Sequence, residues 1–106
     1  MELVNTKVEM LKDSITYGEK SIVSRQLIKS QAGNITLFAF DEGEGLSEHS
    51  APYDAFVQVL EGKAEITIGG KPYRVAEGEY IIMPANIPHA VKANGRFKMM
   101  LVMIRG

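Results

Sequence analysis

Residues 64–75 read AEITIGGKPYRV, and their pattern decides what kind of chain this is. Ala64, Ile66 and Ile68 alternate with Glu65 and Thr67, a period of two that sends apolar side chains to one face of a strand and polar ones to the other. Gly69-Gly70 follows, a pair that accepts the positive φ of a tight turn, and residues 71–76 resume as a second strand. The stretch predicts a β-hairpin.

Outward from this hairpin the same period recurs, punctuated by Gly, Pro, Asn and Asp. It predicts strands over 21–29, 34–40, 54–61, 63–69, 71–76, 79–84, 89–93 and 96–104. So many strands on 106 residues imply one all-β domain, a sandwich or barrel. The first residues read differently. Val8, Leu11 and Ile15 stand three and four apart and suit a short amphipathic helix, but Thr16, Tyr17 and Gly18 stop it early. Residues 1–19 are therefore a short helix or an arm, and 20–106 the barrel.

Composition narrows the function classes. A net charge of −1 offers no basic excess for a phosphate backbone, so nucleic acid is not expected as a partner. With no cysteine there are no disulfides, thiolate metal sites or cysteine nucleophiles. The opening MELVNTKVEMLKDS has neither the basic nor the apolar region of an export signal, and no stretch is long and apolar enough to span a membrane. The expected location is cytoplasmic.

Two strands, 34–40 and 96–104, are apolar on both faces, so Phe38, Phe40, Met100, Val102 and Ile104 need cover. A second subunit is the simplest cover, and a homodimer is expected. A terminal arm folded over the outer face is the alternative.

The stretch GEYIIMPANIPH, with Gly78, Pro84 and His89, resembles the second motif of the cupin superfamily, although Asn86 stands where that motif usually has a glycine. Residues 43–62 resemble its first motif, in which a glycine, a His-x-His pair, a glutamate and a closing glycine follow one another. The resemblance implies a double-stranded β-helix, or jelly-roll barrel, of the small conserved-barrel (cupin 2) type with a short N-terminal arm or helix. In that superfamily iron, manganese, nickel, zinc or copper is held by three imidazoles and a carboxylate. With Gly62 as the closing glycine, His49 takes the first histidine position, but Ala51 takes the second and Ala55 that of the glutamate.

What remains is His49 and His89, the only histidines in the chain. On the resemblance they share a pocket and are the candidate metal ligands. Two neutral imidazoles bind a divalent ion such as Ni, Zn, Fe or Mn weakly. Strand alternation puts Ala55, Val57 and Val59 inward and Asp54 and Gln58 outward. A bulge after Pro52 would reverse this parity and make Asp54, or Gln58, a further ligand. The methionines of MMLVM and IIMP read as core filling, with an adaptable pocket wall as the other use.

Three functions compete. The first is a small-molecule-binding barrel with a degenerate metal site, anchored by His49 and His89 and walled by Val57, Val59, Ile66 and Ile82. The second is a metal-dependent enzyme of dioxygenase, isomerase or lyase type using His49, His89 and a non-standard third ligand. The third is a metal-free lyase or isomerase with histidine as general base.

Overall fold

The computed structural model describes residues 6–105. It contains nine strands among them: β1 (Ile22–Ser30), β2 (Gly33–Phe40), β3 (Gly45–His49), β4 (Asp54–Glu61), β5 (Lys63–Ile68), β6 (Lys71–Ala76), β7 (Tyr80–Met83), β8 (His89–Lys92) and β9 (Phe97–Ile104). The hairpin read from the sequence is β5–β6. Ile68 pairs with Lys71, and Gly69 (φ 58°) and Gly70 (φ 83°) both occupy the left-handed region that a two-residue turn requires.

The strands form two antiparallel sheets, one of five strands in the order β1-β2-β9-β4-β7 and one of four in the order β3-β8-β5-β6. Each turns one face inward. Phe40, Ala55, Val57, Val59, Phe97 and Met99 from the first meet Ala64, Ile66, Val75 and Val91 from the second in one buried cluster, with the Phe40 and Phe97 rings stacked 4.5 Å apart. This two-sheet jelly roll is the all-β architecture that the sequence implies. No helix among the described residues is long and apolar enough to cross a membrane.

Residues 6–19 form an arm whose only regular turn is a 3-10 turn at Leu11–Asp13, not an amphipathic helix. Val8 and Leu11 are exposed, whereas Ile15 is buried on Leu37 and Ala39 from the outer face of the five-stranded sheet. Tyr17 pins the arm. Its hydroxyl donates to Glu61 Oε2 at 2.6 Å while the Arg96 and Lys98 cations lie about 5 Å from its ring centre. Lys98 is buried yet satisfied, because its ammonium donates to the Lys12 carbonyl and lies 3.9 Å from Glu61.

The arm settles half of the question of cover. Phe38 and Phe40 turn into the core, and Met100 packs beneath the arm with Leu37 and Ala39. The other half of the outer face keeps an apolar row across all five strands. Ile28 pairs with Ile35, Ile35 with Val102, Val102 with Phe56, and Phe56 with Ile82. Ile82 is 46% exposed, and Ile104 beside the row is 59% exposed.

Candidate functional site

At one end of the barrel β3 and β8 run side by side, and His49 pairs with His89 in their register. The rings meet edge to face with centroids 4.4 Å apart. His49 stands at the exposed rim, whereas His89 is only 7% exposed. Each ring is oriented by a carbonyl two residues upstream. Nδ1 of His49 donates to Ser47 O at 2.8 Å, and Nδ1 of His89 to Ile87 O at 3.3 Å. A carbonyl oxygen only accepts, so Nδ1 carries a proton, and in the neutral ring Nε2 keeps the lone pair that a ligand or metal needs.

Burial pushes the His89 pKa below the ordinary histidine value, and the charge of His49 lowers it further against the pull of the Ile87 carbonyl. His89 is therefore a neutral imidazole at neutral pH.

Both rings border a cavity of about 60 Å³ between the sheets, lined also by Leu46, Ala51, Tyr53, Ala55, Met83, Val91, Met99, Leu101 and Met103. The two alanines at the family's ligand positions thus face the same space as the two histidines. All four motif positions converge, and two of them carry no donor.

The loop that delivers His89 is held from below. Asn86 adopts φ 66°, the left-handed conformation for which the motif usually has a glycine and which Asn tolerates better than other side chains. Its N–H donates to the Ala51 carbonyl at 2.8 Å, and the Ala85 N–H donates to Asp54 Oδ1 at 2.9 Å. Gly62, the closing glycine of the first motif, has φ 78° and lies so close to the Arg96 carbonyl that a side chain would collide with it.

Several sequence-derived assignments need correction. Asp54 is exposed on the outer side of β4, where it clamps the β7–β8 loop, and no bulge turns it inward. Gln58 shares that face and reaches only the Gly78 carbonyl, at 3.5 Å. Neither reaches the cavity. Val57, Val59 and Ile66 do point inward, but they are fully buried in the packed core and do not line the cavity. Ile82 lies on the outer face opposite Phe56, while its neighbours Ile81 and Met83 turn inward. Met83, Met99 and Met103 take the second of the two uses that the sequence allows them, as cavity wall, and Leu101, which the sequence did not single out, joins them; the register places Met83 and Met103 directly beside Ala55.

No group of three or more His, Cys, Asp or Glu side chains able to hold a metal occurs among the described residues. The family's centre of three imidazoles and a carboxylate does not fit the residues present.

Comparison with known proteins agrees with this fold. A crystal structure of a conserved protein of unknown function from Streptococcus pyogenes superposes with a TM-score of 0.91 at 42% identity, covering 98% of this chain and 91% of that one. A cupin superfamily protein from Desulfitobacterium hafniense gives the same TM-score of 0.91 at 29% identity, covering 98% and 95%. An uncharacterised Streptomyces coelicolor protein is 30% identical over 64 residues, which is 60% of this chain and 61% of its own length. The match thus spans less than two thirds of that curated relative. The family model described as the cupin domain matches residues 36–105, everything from the middle of β2 through β9. With both motifs inside that match, the chain belongs to the cupin superfamily.

Proposed function

We propose that this barrel is a binding module for a very small ligand, built on a cupin metal site that has lost half of its donors. The observation that carries the reading is the pairing of His49 with His89 on the wall of an otherwise apolar cavity, with Ala51 and Ala55 beside them. At about 60 Å³ the space is well below a drug-sized pocket of roughly 300–1,000 Å³, so the occupant has few non-hydrogen atoms. Two Nε2 lone pairs at the polar end favour a hydrogen-bond donor on a short apolar body, or a cation.

A divalent ion held by these imidazoles alone takes its remaining ligands from water and binds weakly. The metalloenzyme reading loses its third ligand, because Asp54 and Gln58 both face away. Zinc calorimetry on wild type, His49→Ala, His89→Ala and the double variant tests the shared site. Each single substitution should abolish the weak binding, and the double should cost no more than either single. Independent, additive losses would mean that the histidines act apart.

We also propose a homodimer through the apolar row Ile28–Ile35–Val102–Phe56–Ile82, since the described residues of the arm cover only the other half of that face. An apolar row spanning five strands and lacking a charged side chain favours a second copy over water.

A further inference from the structure

The side chains around the vacant carboxylate position suggest what the pocket holds. Ala55 pairs with Met83 on β7 to one side and with Met103 on β9 to the other. Directly opposed residues on one face of antiparallel strands have Cβ atoms about 4.5–5.5 Å apart. Two thioethers therefore flank the position where the family places its glutamate. Both residues border the cavity, and Met99 lies deeper on the same wall. His49 and His89 stand on the opposite sheet.

We propose that the cavity is a site for a soft monovalent cation, Cu(I), held by Nε2 of His49 and His89 and by the thioether sulfurs of Met83 and Met103. This deepens the binding-module reading and rests on it. It differs from the family's divalent centre in both donors and charge. Thioethers are soft, uncharged donors that select Cu(I), whereas divalent first-row ions favour imidazole, thiolate or carboxylate.

Charge gives a second reason. Neither a thioether nor a neutral imidazole brings a negative charge, and no carboxylate lines the cavity. The cost of placing an ion in an apolar cavity rises with the square of its charge, so a monovalent ion without a counter-charge is tolerated where a divalent one is not. The small volume also suits a bare ion better than an organic ligand. Methionine's three rotatable bonds let the sulfurs close on the ion without moving the strands.

The test uses the full chain with Cu(I) kept reduced by ascorbate and competed against a chromophoric Cu(I) chelator, alongside zinc titrations of the same samples. The variants are Met83→Leu, Met103→Leu and the double, with Met10→Leu as an exposed control. Leucine keeps the volume, so folding should survive, and circular dichroism checks it. Wild type should bind one Cu(I) per chain, more tightly than zinc, with the resonances of both histidines shifting. Each cavity Met→Leu should weaken Cu(I) roughly tenfold or more, by analogy with losses seen even for outer-sphere partners, and leave zinc unchanged. Met10→Leu should change nothing.

If the cavity variants bind Cu(I) as wild type does, or if Met10→Leu removes the binding, the thioether site is wrong. If zinc still shifts both histidines in that case, the shared pocket stands without it. If neither ion shifts both histidines, the pocket reading fails as well.

Discussion

Restoring the two missing donors probes the site most deeply. Ala51→His with Ala55→Glu would raise the ligand set from two imidazoles to three and a carboxylate, at positions that already face the cavity. Ala55 is 5% exposed between Met83 and Met103, so the glutamate enters a filled wall. Overpacking of this kind costs about 1–3 kcal/mol, and an unpaired carboxylate in an apolar wall adds to it. The metal-free double variant should therefore melt below wild type. Metal should reverse the order.

Wild type should bind zinc or nickel at or above roughly 1 μM, about 8 kcal/mol of binding free energy. Each tenfold gain in affinity adds about 1.4 kcal/mol of stability at saturating metal, or roughly 6–11 °C of Tm for a domain near 100 residues. Calorimetry and thermal melts with one metal on both proteins check this. A folded double variant with no gain would refute the convergence of positions 49, 51, 55 and 89. Nanomolar, stoichiometric zinc binding by wild type would mean that donors beyond the two imidazoles reach a divalent ion.

Other expectations follow from the same geometry. The depressed His89 pKa means that the unfolded chain takes up the proton first as pH falls. Stability is therefore full above the ordinary histidine value of about 6.5 and declines below it, and His89→Gln should flatten the decline in Tm against pH. Asp54→Ala removes the clamp on the β7–β8 loop and should cost about 1 kcal/mol, with faster amide exchange at Ala85 and no change in zinc affinity. If zinc affinity falls instead in proportion to a lost ligand, Asp54 belongs to the site. Val102→Lys, in the middle of the uncovered row, should turn a dimer into a monomer in light scattering, and a wild type that is already monomeric at micromolar concentration would end the dimer proposal.

The sequence carried the strands whose two faces differ. The β5–β6 alternation and the Gly69-Gly70 turn were plain, and the inward parity of Ala55, Val57 and Val59 followed from strand geometry alone. Strands without such contrast were opaque. YIIM is apolar throughout, so only its pairing with β4 sends Ile82 out and Met83 in. GLSEH has one aliphatic residue, Leu46, because β3 is an edge strand with a wet face, and no period announced it.

Alternation also gives the face but not the depth. Val57, Val59 and Ile66 point the right way yet lie in packed core away from the cavity, whereas Met83 and Met103 reach its wall through neighbours distant in the chain. The division of the outer face between the arm and an open row was likewise hidden. It depends on Ile15 landing on Leu37 and Ala39 and on Tyr17 reaching Glu61, contacts between residues far apart in the chain.

The most direct test of the shared two-histidine site is long-range nitrogen–proton NMR of the imidazoles during a zinc titration near pH 7.5. Before metal, both rings should show the Nδ1–H tautomer set by the Ser47 and Ile87 carbonyls. On titration, Nε2 of His49 and Nε2 of His89 should shift together along one saturable curve at one ion per chain. Two independent curves, or a shift at His49 alone while buried His89 stays still, would contradict a common site.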